Sequence, residues 1–172
     1  MHFLYSFGFP MVKTHTYTLR PPQSQEEWNT VRRLLHDYRN EFEDQTCFTS
    51  FDDEMVNIEG YYADPRKYKL IAVEQPGNKI VGCVGMRSLS ADLSEMKRLY
   101  VIPSHRNHGL GKKLAEEIIS IAAKMKYKKM ILDTMHEMED AQKLYEKLGF
   151  VVTEPHDPDD KRNVVYYQKS LI

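Results

Sequence analysis

Apolar and polar positions along this chain recur with two different periods, and the switches between them mark out its elements. Residues 15–19 alternate with period two and predict a short strand, stopped by Pro21 and Pro22. Ser24, followed three residues on by Glu27, has the spacing of a capping box. Trp28, Val31, Leu34 or Leu35 and Tyr38 then fall at helical spacing, so a helix is expected from there to about Glu43. A second helical stretch is predicted over 53–62, closed by Asp64-Pro65. Leu70, Ile71, Ala72 and Val73 make a nearly continuous apolar run inside a strand over 68–74, the pattern of a strand covered on both faces. Pro76-Gly77-Asn78 reads as a hairpin turn, and 79–89 as the partner strand. Gly82 and Gly85 within that strand signal a bulge or a close backbone approach.

Residues 96–102 predict the next strand, broken at Pro103. After a short polar loop, Leu110, Leu114, Ile118, Ile121, Ala122 and Met125 share one face of a helix that a sheet should bury. A strand over 129–134 follows, then a helix over 138–148 with Ala141, Leu144, Tyr145 and Leu148 on one stripe and Gly149 as its left-handed stop. Strands over 150–153 and 163–169 close the chain around a polar loop, 154–160. There are no internal repeats or low-complexity tracts. The pattern describes an α+β chain: a mixed, mostly antiparallel sheet with helices on both faces.

The loop after Pro103 carries the most chemistry. Gly109 and Gly111 remove Cβ atoms where a backbone must approach a ligand or adopt positive φ. The amides of 107–112 lie where a helix start exposes unpaired donors, a setting that suits phosphate, with Arg106 and Lys112 adding charge. A lone Gly-x-Gly also fits an ordinary surface turn. The dinucleotide fingerprint is not satisfied, because Leu114 stands where its third glycine belongs, and the ATP-type loop lacks its upstream glycine and its hydroxyl. A nucleotide-binding enzyme would therefore rest on the glycines alone.

Arg106-Asn107-His108-Gly109-Leu110-Gly111 resembles the acyl-CoA pyrophosphate loop of the GNAT superfamily of N-acetyltransferases. Leu99-Tyr100-Val101-Ile102-Pro103 is similar to that family's central strand, and 141–150 to its later helix and the turn after it. The close matches span 95–150, with a weaker likeness of pattern over 16–171. The resemblance implies the GNAT fold, with a six- to seven-stranded sheet splayed at the central strand, and acetyl-CoA as co-substrate. Arg106, Asn107, His108, Gly109, Leu110, Gly111 and Lys112 would hold the pyrophosphate. The backbone of Leu99, Tyr100 and Val101 would hold the pantetheine, where the central strand parts from its neighbour after Thr134. Tyr145 corresponds to the family's general acid, and a phenol near pKa 10 can protonate a thiolate of about 8.5. It also belongs to an apolar stripe, so a packing role stands beside the catalytic one.

An alkyl amine with pKa about 10.4 must lose a proton before it attacks. Glu95, at the start of the central strand, is the candidate base, directly or through water; the alternative is a strand-end acid paired with Lys97. Direct attack by the amine in a ternary complex fits better than a covalent intermediate. One departure is Met138, where many relatives have asparagine against the cofactor. The rival reading is a non-catalytic protein that binds or senses acyl-CoA, disfavoured by Glu95 and Tyr145 occurring together. The family's first two helices usually wall the acceptor site. Here they carry Glu41, Glu43, Asp44, Asp52, Asp53, Glu54 and Glu59, which either attract a cationic amine or simply face water. The acceptor is a small-molecule or peptide amine: small amine, amino acid, antibiotic and protein terminus all remain open.

Composition narrows the setting. At 172 residues the chain is expected to hold one acetyltransferase domain over 12–172, after an extension over 1–11 with Met11 as an alternative start. With 41% apolar and 28% charged residues it is neither a disordered nor a membrane chain, and a net charge of −1 offers no basis for a nucleic-acid partner. Residues 1–10 are aromatic but lack a basic leader and are too short to span a bilayer. Their aromatics would pack on the domain or on a second copy in a homodimer. Cys47 and Cys83 stand far apart, arguing against a disulfide framework or a Cys-x-x-Cys metal site and for a reducing cytoplasm. His105, His108, His136 and His156 lack a third ligand at suitable spacing, so no metal is assigned.

Overall fold

A computed structural model describes residues 16–43 and 46–172. The extension 1–11, the first strand's start at His15 and Asp44 lie outside these. Strand β2 (Lys67–Gln75) is built on the apolar run 70–73. Its two faces feed two cores: Leu70 and Ala72 pack on one side of the sheet, Ile71 and Val73 on the other. β2 pairs antiparallel with β1 (Thr16–Arg20) and with β3 (Lys79–Ser88), which pairs antiparallel with β4 (Leu93–Val101). β4 runs parallel to β5 (Lys129–Met135), beyond which lie β7 (Val164–Ser170) and β6 (Val151–Thr153), both antiparallel pairings. The seven-stranded order is β1-β2-β3-β4-β5-β7-β6.

Helix α1 (Gln25–Asn40) starts where Ser24 Oγ accepts from the Glu27 amide at 3.2 Å. Only half of the expected capping box forms. The Glu27 carboxylate accepts from the Gln23 amide at 2.6 Å and from Arg20 at 2.6 and 2.9 Å instead. Leu34 and Leu35 are both buried with Trp28 and Val31, and the helix ends at Asn40, short of the expected Glu43. Phe42 leaves the helical stripe to meet Tyr38 edge-on, with ring centroids 5.8 Å apart. The predicted helix over 53–62 is two short ones, α2 (Phe51–Val56) and α3 (Ile58–Tyr62). Asn57 divides them at φ −146° and ψ 76°, because its side chain caps the second helix by accepting from the Gly60 amide at 3.0 Å. These three helices cover one face of the sheet with Trp28, Leu35, Phe51 and Ile58. α4 (Leu110–Lys124) and α5 (Glu139–Lys147) serve the other, where Leu114, Ile118, Ala122, Tyr145 and Phe150 join one core. Met125, expected on the buried face of α4, is its C-cap and stands exposed.

Two irregularities in the centre of the sheet open a cleft there. Partners Cys83↔Tyr100 and Gly85↔Lys97 leave Arg98 and Leu99 together opposite Val84, a β-bulge in which Arg98 takes φ 58°. The glycine signal in β3 is a close approach: a Cβ at Gly82 would stand 2.9 Å from the Tyr100 carbonyl oxygen, and one at Gly85 2.6 Å from Tyr62 Oη. β4 and β5 pair only through Leu93↔Lys129, Ser94↔Met130 and Glu95↔Ile131. The strands therefore part after Ile131, earlier than the expected Thr134, as the bulge bends β4 away. β4 also begins three residues before the expected Met96, with Leu93 and Ser94 buried. Glu95 consequently lies within the paired part of the strand.

Candidate active site

The parting of β4 from β5 opens a groove of about 440 Å³ between Leu99–Val101, Arg106 and the start of α5. From Met96 onward the edge of β4 that faces β5 has no strand partner among the described residues. A ligand carrying amide groups can add there as an extra strand would. At the far end Asn107 (φ 63°) and Gly109 (φ 75°) turn the chain into α4 through a 3-10 turn at Pro103–His105. Gly109 is the N-cap and supplies no side-chain cap, so the first-turn amides of Leu110, Gly111 and Lys112 lack intrahelical acceptors. That end suits a diphosphate. Asn107 is a left-handed position that the glycine pattern did not reveal, although asparagine tolerates it. Gly111, in contrast, is helical, and a Cβ there would meet only Leu144 at 3.8 Å and Val101 at 4.0 Å.

The charged side chains of the loop turn away from its amides. Lys112 bonds Glu116 one helical turn along at 2.6 Å. Arg106 donates to the Val101 carbonyl at 2.8 Å and to both oxygens of Glu41 at 2.7 and 2.9 Å, while His108 is exposed. Tyr100 Oη also donates to Glu41 at 2.8 Å, and burial followed by that carboxylate pushes the Tyr100 phenol well up. Glu41, expected on the acceptor wall, thus lines the groove beside β4 instead. Met138, the N-cap of α5, lines the same groove and receives the Thr134 hydroxyl at its sulfur, 3.3 Å away.

A second, larger pocket of about 560 Å³ opens on the other side of the parted strands. Glu95 lies in it, ion-paired to Arg87 across the β3–β4 register and not to Lys97. Asp133 lies in it too, raised by burial although Arg162 donates to it at 3.0 and 3.3 Å. Arg162 reaches on to Asp160 at 2.7 Å and holds that carboxyl well below the usual range. None of the described acids of the first helices lines this pocket. Glu54 is buried against Arg98 and Tyr62, and Asp52 pairs with Arg39 at 2.9 Å. Its negative rim comes from Glu154, Asp157, Asp159 and Asp160 on the loop before β7.

Groove and pocket meet at a cavity of about 40 Å³, which shares Tyr38, Leu99 and Met138 with the first and Leu132 and Asp133 with the second. Tyr145 is at this junction, 8% exposed, its ring 6.0 Å from those of Phe150 and Tyr167. Packing and position coincide in one residue. Burial, then the charge of Asp133, pushes its phenol well above the ordinary value, so it stays a neutral O–H donor. Cys47, also at the junction, is pushed up to about 11 by burial and is a neutral thiol at ordinary pH. Lys97, Asp133, Arg87 and Arg162 were missed by sequence reasoning. Their only local signal is charge placed inside or beside otherwise apolar strands. Among the described residues no three His, Cys, Asp or Glu side chains converge to hold a metal; His105 lies 3.1 Å from Glu74.

The profile of the Acetyltransferase (GNAT) family matches residues 28–150. Over 162 residues the chain is 33% identical to an uncharacterized N-acetyltransferase of Schizosaccharomyces pombe, covering 94% of this chain and 99% of that one. Among solved structures, a GNAT-family acetyltransferase from Staphylococcus aureus superposes with a TM-score of 0.77 at 20% identity, over 91% of this chain and 100% of its own. Spermidine N-acetyltransferase from Vibrio cholerae, in complex with CoA and spermine, gives 0.67 at 19% identity, over 90% and 95%. The structural likenesses show the fold; the profile match and the full-length relative show more. This chain belongs to the GNAT family of acetyltransferases and is an acyltransferase.

Proposed function

We propose that residues 12–172 form one cytoplasmic N-acetyltransferase domain that moves an acetyl group from acetyl-CoA to a primary amine by direct attack in a ternary complex. The observation that carries this reading is the continuity of the cleft. An uncapped helix start, an open strand edge and a junction holding Tyr145 lead in sequence to a separate pocket. The diphosphate would sit on the amides of 107–112, with Arg106 exchanging Glu41 for phosphate, and the pantetheine would pair with Leu99–Val101. Tyr145 then hydrogen-bonds the departing sulfur. Glu95, with one oxygen taken by Arg87, works through water on the acceptor side. Neutral Cys47 offers no thiolate for a covalent route, and both cysteines are free, which suits a reducing compartment.

Six carboxylates against two guanidiniums line the acceptor pocket, which favours a cationic amine over a dicarboxylic amino acid. The test is a thiol-release assay with acetyl-CoA and a panel of polyamines, monoamines, amino acids and peptides. Polyamines or other dications are expected to turn over fastest, and Tyr145→Phe to lower kcat by about 10- to 100-fold. If no amine raises thiol release in a sample that binds acetyl-CoA calorimetrically, the transfer reading is wrong.

A further inference from the structure

The junction between groove and pocket holds one titratable group that this scheme leaves idle. Lys97 lies on β4 two residues beyond Glu95 and lines the small cavity together with Tyr145, Asp133 and Cys47. Its ammonium nitrogen is buried and has no hydrogen-bond partner among the described residues. Burial of an unsatisfied lysine is costly. The charged groups that act on it are Glu95 and Arg98 on its own strand, Arg87 on β3, Glu54 on α2 and Asp133 on β5.

Each of the other junction groups is committed. Glu95 is held by Arg87, Asp133 by Arg162, and Arg98 by Glu54, while the Tyr145 phenol and the Cys47 thiol keep their protons. Lys97 can both lose and gain a proton near neutral pH, since burial, only partly opposed by Glu95, pushes its ammonium down to about 8. A CoA thiol titrates close to that, about 8.5 by analogy with cysteine.

We propose that Lys97 carries the second proton of the acetyl transfer: once Glu95, through water, has taken the acceptor's ammonium proton, Lys97 takes the second from the nitrogen as it bonds to the acetyl group and returns one to the departing sulfur. In balance, the acceptor nitrogen bonds to the acetyl carbon and the C–S bond breaks with its electron pair left on sulfur. The nitrogen's second proton passes to the neutral Lys97 amine, and the resulting ammonium protonates the thiolate. The products are the N-acetylated amine and free CoA thiol, and the lysine returns to its starting state. This inference rests on reading the cleft as the acetyl-CoA site.

The test combines labelling with kinetics. Trace acetic anhydride is applied to the full chain across a pH series, with and without CoA, and acetylation of Lys97 is read by peptide mass spectrometry, with CoA binding followed by calorimetry. Labelling is expected to rise with a midpoint of about 8 and to be suppressed by CoA. Lys97→Met and Lys97→Arg, assayed with the fastest amine of the panel, should bind CoA like the wild type, lose about 100-fold in kcat and lose the pH limb near that midpoint. A structural lysine would not move that limb. Lys97 labelling indifferent to CoA in a sample that binds it overturns the proposal and leaves the cofactor site standing. So does a Lys97→Met enzyme with wild-type rate and pH profile. A folded sample that does not bind CoA removes the cofactor site itself, and the role of Lys97 falls with it. Should Lys97→Met not fold, the labelling of the wild type decides.

Discussion

Glu54 and Arg98 meet at 2.9 Å with side chains only 1% and 3% exposed, a charged pair placed where the sheet could have been apolar. The pair holds the bulge of β4. Arg98 sits at φ 58°, and its guanidinium is tied to Glu54 and to the Thr49 carbonyl at 3.0 Å, while Tyr62 Oη donates to the other Glu54 oxygen at 2.7 Å. Removing one partner strands the other charge in a dry site, so Glu54→Ala should cost about 3–5 kcal/mol in urea unfolding. Burial raises the Glu54 carboxyl, but Lys69, Arg98 and the Tyr62 bond outweigh it and leave it below the ordinary value. A carboxyl whose folded pKa is depressed adds stability above its unfolded pKa of about 4.3, and that stability is lost as pH falls through the folded value. The urea midpoint of the wild type should therefore fall on acidification more steeply than that of Glu54→Gln; equal slopes would mean the carboxyl does not carry the acid sensitivity. None of this was legible beforehand, because the partners are 44 residues apart and a surface acid looks the same in sequence. The positive φ of Gly109 and the burial of Tyr145 were legible, because one answers a backbone demand and the other sits on a helical stripe.

At the scale of elements, period and turn residues together located the strands and the longer helices, but merged α2 and α3 into one, and local side-chain chemistry decided where each element stops. The split at Asn57 and the early end of α1 are capping and packing events that no periodicity encodes. The two glycines of β3 did announce a contact, but not its partner. At Gly82 that partner is backbone, the Tyr100 carbonyl, with Leu114 Cδ1 at 3.2 Å behind it, so an added methyl cannot be accommodated by a rotamer change. Gly82→Ala should push β3 from β4, destabilise by about 1–3 kcal/mol and weaken CoA binding, because Tyr100 belongs to the groove that would receive the pantetheine. Gly77→Ala is the control: nothing lies within 4 Å of its Cβ position, and a change within about 0.5 kcal/mol is expected. Denaturant unfolding and calorimetry on both variants would separate a general glycine effect from this contact. A Gly82→Ala protein as stable as the control would mean that β3 and β4 shift freely.

On the scale of the whole molecule, the sheet consists of two parts, β1–β4 and β5–β7–β6, laddered together by only three residue pairs. The cleft exists because that ladder stops at Glu95 and Ile131. The stopping point is tertiary, set by the bulge at Arg98 and Leu99, which is why the family resemblance implied that the strands separate but placed the onset three residues late. Beyond it, the backbone groups along one edge of β4 have no strand to answer them and should exchange with solvent more readily than those of β2, which is laddered on both sides. Acetyl-CoA lying along that edge would supply the missing acceptors and donors and join the two parts through α4 and α5. Hydrogen exchange read by mass spectrometry should then slow on CoA addition in peptides covering 96–112 and the start of α5. It should change little in β1 and β2 beyond the global gain of about 2.7 kcal/mol expected at a hundredfold excess over Kd. ATP, which carries phosphates but no pantetheine, should protect at most the loop 106–112 and leave 96–101 exchanging freely. Gly109→Glu, which puts a charge and a Cβ at the positive-φ cap, should abolish both effects. If CoA slows exchange equally over all seven strands, or chiefly along the outer edge at β6, then the opening between β4 and β5 is not where the cofactor lies, however well its shape suits one.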